Sequence, residues 1–172
     1  LRGYNFQGGG SRPRRNGMSF GGFGAELKAY VQSPMDGWRF SLASFGEQLP
    51  HYDNTVRISP TLRDKQGAPV AEITFEWREN EFKMAKDAVE QGIEMLEKAG
   101  LTKVKGGDLD PPKSTVHEVG TARMGLDPKT SVLNKYNQVW GCSNVFVTDG
   151  ACMPSVSCVN PSLTYMALTA RA

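Results

Sequence analysis

Residues 71–77 read Ala71-Glu72-Ile73-Thr74-Phe75-Glu76-Trp77, and within a few residues the apolar period changes, with Phe82, Ala85, Val89, Ile93 and Leu96 recurring at steps of three or four. Alternation with period two predicts a half-buried strand, and the longer period predicts an amphipathic helix over 81–99. Asn80 is a candidate N-cap for that helix, and Gly100 can end it. A strand followed at once by a long helix, with no βαβ rhythm, points to an α+β arrangement. The polar side of the helix, from Glu81 through Lys83, Lys86, Asp87, Glu90, Glu94, Glu97 and Lys98, reads as a solvated face.

Upstream, Trp38, Phe40 and Leu42 alternate with Arg39, Ser41 and Ala43, and Val56 and Ile58 form a further short apolar pair flanked by Asp53-Asn54 and Pro60. Short connections, including the polar turn Arg63-Asp64-Lys65-Gln66-Gly67, predict antiparallel neighbours. Residues 1–24 are Gly-rich and carry Arg2, Arg12, Arg14 and Arg15. Tyr4, Phe6, Met18, Phe20 and Phe23 make this stretch too apolar for a tail, so it reads as ordered loop or strand. Downstream of Gly106-Gly107 and Pro111-Pro112 the character shifts. Val145-Phe146-Val147 is a continuous apolar run, as in a strand covered on both faces, and Asp149-Gly150 follows at its carboxyl end. Asn160-Pro161 then reads as a helix start, with Leu163, Met166, Ala167 and Ala170 on one face.

Composition bounds the function. The 172 residues carry 20 Lys+Arg and 18 Asp+Glu, a net charge of +2, which argues against a dedicated nucleic-acid binder. No apolar run approaches the ~20 residues of a membrane span, so no transmembrane segment is expected here. Cys142, Cys152 and Cys158 have no C-x-x-C spacing, and there are only two histidines, so no metal site is read and the thiols are expected to be buried or half-buried and free. Gly22-Phe23-Gly24 begins like a dinucleotide fingerprint but Leu27 breaks it, and no P-loop or G-x-S-x-G occurs. The chain opens Leu1-Arg2-Gly3 and stops at Ala170-Arg171-Ala172 inside a helical pattern, which suggests a fragment. No targeting segment is read, and cytoplasmic and periplasmic placement are both compatible with these residues.

His117 is the first candidate for chemistry. It lies in His117-Glu118-Val119-Gly120-Thr121-Ala122-Arg123-Met124-Gly125, where Gly120 and Gly125 permit tight backbone around a group that titrates near neutral pH. A structural histidine is the plainer alternative. Asn160 can cap its helix through its carbonyl oxygen while its amide donates to a ligand. The helix N-terminus it opens suits an anion or an electron-rich ring. Asp149-Gly150 at a strand end is the usual place for cofactor contact in an α/β sheet.

These stretches, with Ser131-Val132-Leu133-Asn134, Val139-Trp140-Gly141, Asn144 through Gly150, Pro154 and Asn160-Pro161-Ser162-Leu163-Thr164, resemble in order and spacing the carboxyl-terminal end of the glucose–methanol–choline (GMC) oxidoreductases. The resemblance covers residues 115–172 closely and 1–114 loosely. Gly8-Gly9-Gly10-Ser11-Arg12 and Asp53-Asn54-x-Val56-x-Ile58 are similar to stretches of the sugar-oxidising branch.

The resemblance implies an antiparallel substrate-binding domain with packed helices over 1–114. It also implies that 115–172 is the carboxyl-terminal strand–helix segment of an α/β FAD-binding domain. It further implies FAD, with oxidation of a sugar or other alcohol by hydride transfer to flavin N5 and an electron acceptor that the residues do not name. His117 would be the catalytic base and Asn160 its hydrogen-bonding partner, with Asp149, Gly150, Asn160, Pro161 and Ser162 against the flavin. The G-x-G-x-x-G site of the family's amino-terminal half is absent, so a missing FAD-binding half is expected as partner and the chain alone is expected to be inactive. The competing reading is a non-catalytic binding module of the same fold. Nucleic-acid binding through Arg12, Arg14 and Arg15 is the weakest reading.

Overall fold

The computed structural model describes residues 3–35, 37–107 and 115–172. The elements run β1 (Tyr4–Ser11), a 3-10 turn (Gly17–Ser19), α1 (Gly24–Gln32), β2 (Arg39–Gly46), β3 (Thr55–Arg63), β4 (Pro69–Thr74), α2 (Glu79–Lys98), a second 3-10 turn (Gly150–Cys152) and α3 (Ser162–Arg171). This is an α+β chain with two two-stranded sheets, β1–β2 and β3–β4. It divides into two compact units, Phe6–Ala43 and Ser44–Ala172, the second including the amino-terminal residues up to Asn5.

β1 and β2 form an antiparallel pair, most of it within the Phe6–Ala43 unit. A Cβ at Gly8 would run into the Ser41 carbonyl oxygen, and one at Gly10 would lie 3.3 Å from the Phe40 ring, so these glycines set how closely the strands approach. Phe20 stacks on Tyr30 of α1 at 4.7 Å, and the Arg15 guanidinium lies 5.0 Å from the same ring. Residues 1–24 are therefore ordered where described, as strand and turn. The partner of β2 differs from the expectation: it is β1, which precedes it, and not β3.

In the other unit β3 and β4 pair antiparallel, with Val56 opposite Ile73, Arg57 opposite Glu72 and Ile58 opposite Ala71. The Asp64 carboxylate accepts from Gln66 and Ala68 N–H, both at 2.9 Å, and Gly67 takes φ +85°, so the polar turn closes the hairpin. Asn54 locks the open end, donating to Glu76 O at 3.1 Å and accepting from Glu76 N–H at 3.0 Å. Asp53 pairs with Arg78 at 3.1 Å. The apolar face of this hairpin is open, with Ile58 76% and Ile73 70% exposed.

Helix α2 begins two residues before the expected start, and its cap is Arg78, not Asn80. The cause is Glu81, which is buried where a solvated face was expected. Its carboxylate accepts from Arg78 N–H at 2.9 Å and from Leu49 N–H at 3.1 Å, while His51 Nε2 lies 3.9 Å away. The buried line is Glu81, Met84, Ala88 and Gly92; Ala85, Val89, Ile93 and Leu96 of the expected stripe are half-buried beside it, and Phe82 is exposed. The helix closes as expected at Gly100 (φ +85°), where Leu101 N–H donates to Leu96 O and Gly100 N–H to Glu97 O, a Schellman ending. Tyr4 Oη donates to Asp87 at 2.6 Å, which with some burial pushes the phenol up to about 12.

Two expectations about 115–172 are corrected. Val145-Phe146-Val147 is not a covered strand: Phe146 makes a single bridge to Gln138, and Val145 and Phe146 are exposed. A strand buried on both faces needs layers packed over it and a ladder of several pairs, and here the described residues supply one bridge and leave both side chains open. In α3 the expected apolar face is turned outward, with Leu163 78% and Met166 68% exposed, while Tyr165 and Leu168 are half-buried. Cys142 is exposed rather than buried, Cys152 is buried and Cys158 is half-buried; all three are free. The Pro111-Pro112 break lies outside the described residues. Leu133 and Cys152 are fully enclosed at the centre of this part, and Met84 and Ala88 anchor α2.

Candidate active site

The segment after His117 runs beside the turn after Asp149. Gly120 N–H donates to Gly150 O (3.3 Å), Ala122 N–H to Ala151 O (2.9 Å) and Met124 N–H to Cys152 O (2.8 Å). Residues 28 to 30 apart in sequence are thereby held backbone to backbone. Gly120 (φ +90°) permits the turn into this pairing, where a Cβ would sit 3.4 Å from Met153 O. His117 itself takes φ +62°, a left-handed conformation that is uncommon for a non-glycine residue and marks functional sites more often than random loops. It is half-buried, and Thr115 Oγ1 donates to Glu118 across it at 2.7 Å.

Asp149 is exposed, and its carboxylate caps the Gly150–Cys152 turn by accepting from Ala151 N–H at 3.0 Å. Gly150 is buried: a Cβ there would lie 2.6 Å from Glu118 O and 2.9 Å from Tyr165 Oη. The phenol of Tyr165 is pushed up first by burial and then by the nearby Cys152, Asp149 and Glu118. The Glu118 segment, the Asp149–Cys152 turn and α3 therefore meet around one ring.

Asn160 is exposed and does not cap α3. The cap is Pro161, buried, whose carbonyl accepts from Tyr165 N–H at 3.1 Å, and Ser162 is the first helical residue. The expected Asn160 cap with Pro161 inside the helix is thus shifted by one residue, because Pro161 takes φ −92° and ψ 3°, short of full helical geometry. That leaves the Asn160 amide outside the cap, and the first turn of α3 has neither a side-chain cap nor an acidic residue. Among the described residues no hydrogen bond joins His117 to Asn160, and no group of three or more His, Cys, Asp or Glu is placed to hold a metal ion.

Tyr165, Glu118, Asn137 and Arg171 belong to this region and were not singled out from the sequence. Asn137 carried one signal, an Asn in a polar turn, which tolerates the left-handed backbone it adopts (φ +61°). Arg171 looked like any basic residue in a last helical turn.

Residues 50–169 match the GMC oxidoreductase family, and the chain belongs to it. It is similar to the 2-methyl-1,2-propanediol dehydrogenase of Mycolicibacterium austroafricanum, at 37% identity over 74% of this chain and 23% of the relative. It is similar to the gluconate 2-dehydrogenase flavoprotein of Pantoea cypripedii, at 30% identity over 86% of this chain and 25% of the relative. It also resembles the fructose dehydrogenase large subunit of Gluconobacter japonicus, at 28% identity over 99% of this chain and 31% of the relative. The chain thus spans about a quarter to a third of these relatives' length. Each of these relatives is named a dehydrogenase, of a diol, of gluconate and of fructose, and the gluconate enzyme is named a flavoprotein.

Proposed function

We propose that this chain is the carboxyl-terminal part of an FAD-dependent oxidoreductase that oxidises a CH–OH group of a sugar or other alcohol. In this reading residues 1–114 belong to the substrate-binding domain and 115–172 to the FAD-binding domain. The observation that carries the reading is the backbone pairing of Gly120–Met124 with Gly150–Cys152, which places the His117 segment beside the Asp149–Gly150 turn.

The residues present fit a flavin. The first turn of α3 offers free N–H groups and positive dipole, and carries no acidic residue of its own. Asp149, Gly150, Asn160, Pro161 and Ser162 would line its edge. FAD, when bound, supplies the hydride acceptor at N5. His117 would take the hydroxyl proton of the alcohol as general base. The Asn160 amide, uncommitted to any cap, donates to the alcohol oxygen and holds it for that transfer. Free N–H groups at the α3 terminus would hold the flavin edge and would favour negative charge there.

The test is an anaerobic titration of the full-length protein with a panel of sugars and polyols, following the visible flavin band. Bleaching by at least one of them is expected. A full-length protein that carries no FAD, or whose flavin none of them reduces, sinks the proposal.

A further inference from the structure

Asn137 is fully buried, in left-handed backbone (φ +61°). It holds both polar groups of Val147: its carbonyl accepts from Val147 N–H at 2.9 Å, and its Nδ2 donates to Val147 O at 3.0 Å. Its Oδ1 accepts from Arg171 Nη2 at 2.9 Å. The same nitrogen donates to Lys135 O at 2.7 Å and lies 3.7 Å from Met124 Sδ. One pair of side chains therefore touches all three pieces of the candidate site. Val147 leads two residues later into Asp149-Gly150. Met124 ends the segment that begins at His117 and is itself bonded to Cys152. Arg171 closes the helix that begins next to Asn160.

We propose that Asn137 and Arg171 are a positioning pair that sets where Asn160, Asp149-Gly150 and His117 stand relative to one another; this rests on the flavin reading above. Arg171 lies at the far end of α3. Ten residues of helix reach about 15 Å, so a tilt of roughly 4° at one end moves the other by about 1 Å. Misplacement of about 1 Å costs on the order of 10²-fold in a step that depends on alignment. The planar guanidinium reaches a side-chain oxygen, a main-chain oxygen and a thioether from one nitrogen, which fixes the helix end better than a flexible ammonium could. Asn137 is suited to the other half of the pair because it tolerates left-handed backbone and offers a donor and an acceptor from one amide.

The experiment uses the full-length flavoprotein with Arg171→Met, Arg171→Lys, Asn137→Gly and the Arg171→Met/Asn137→Gly double variant. Glycine keeps the left-handed backbone while removing the amide, so a folded variant is available even if Arg171→Met unfolds. Flavin reduction is expected to slow by roughly 10- to 100-fold with substrate Kd and FAD content unchanged. Arg171→Lys should recover part of the rate, and the double variant should be no slower than the slower single. Amide hydrogen exchange, which needs no substrate, should quicken at 147–152 and in the first turn of α3 in each single variant. Wild-type reduction with unchanged exchange overturns the pair, as do additive losses or losses confined to FAD content. Should the unsubstituted protein carry no reducible flavin, the flavin reading fails, and exchange still judges whether the pair holds these segments.

Discussion

At the scale of single residues, His117 and Asn160 carry separable expectations. His117→Ala in the full-length protein should slow flavin reduction by roughly 10²–10⁴-fold, the span usual for a general base, with FAD content nearly unchanged. A reduction rate equal to wild type would remove His117 from the chemistry. Asn160→Asp should leave the melting temperature within a few degrees, because the residue is exposed and its side chain caps nothing. The ionised carboxylate cannot donate to an alcohol, and its charge opposes the charge reaching the flavin. Both the reduction rate and the flavin potential should therefore fall, and stopped-flow and potentiometric measurements check each. His117 stood out in the sequence as one of two histidines, with Gly120 and Gly125 close by, and Asn160 because Asn160-Pro161 reads as a helix start. Asn137 and Arg171 did not, because their meaning lies in partners ten and thirty-four positions away.

At the scale of elements, Glu81 shows how tertiary contact overrides a local pattern. Burial pushes its carboxyl up, but the N–H groups of Leu49 and Arg78 outweigh that and hold it below the ordinary glutamate range. As pH falls, the unfolded chain takes up this proton first. Stabilisation present above the ordinary range is therefore lost as pH falls through the lower folded value. Glu81→Gln should be less stable than wild type near neutral pH and converge with it in acid; a gap that stays constant with pH would contradict this. Glu81→Ala should cost about 1–3 kcal/mol by leaving two N–H groups without an acceptor, measured by denaturant unfolding. The β3–β4 hairpin and the Gly100 ending were legible because turn residues and helix stops act over a few positions. The start of α2 was not, because its cap depends on a carboxylate shared with Leu49, thirty-two residues away.

At the scale of the molecule, the open apolar faces lead to a further expectation. Ile58 and Ile73 on the hairpin and Leu163 and Met166 on α3 are all more than two-thirds exposed. Side chains of this kind in contiguous patches bind hydrophobic dyes. The chain expressed by itself should bind such a dye and should retain no FAD through gel filtration, since it lacks a G-x-G-x-x-G stretch. A dye-silent chain that keeps stoichiometric FAD would contradict both. The sequence by itself determined the α+β class, the β3–β4 hairpin, the existence of the long helix and the family, because each rests on short-range periodicity or on motifs in fixed order. Only the tertiary structure decided that β2 pairs with β1, that Glu81 is buried, that 145–147 is a single bridge, and that α3 half-buries Tyr165 while Arg171 reaches Asn137. Those outcomes depend on which distant backbone groups need partners and which surfaces have neighbours to cover them, and no local pattern carries that information.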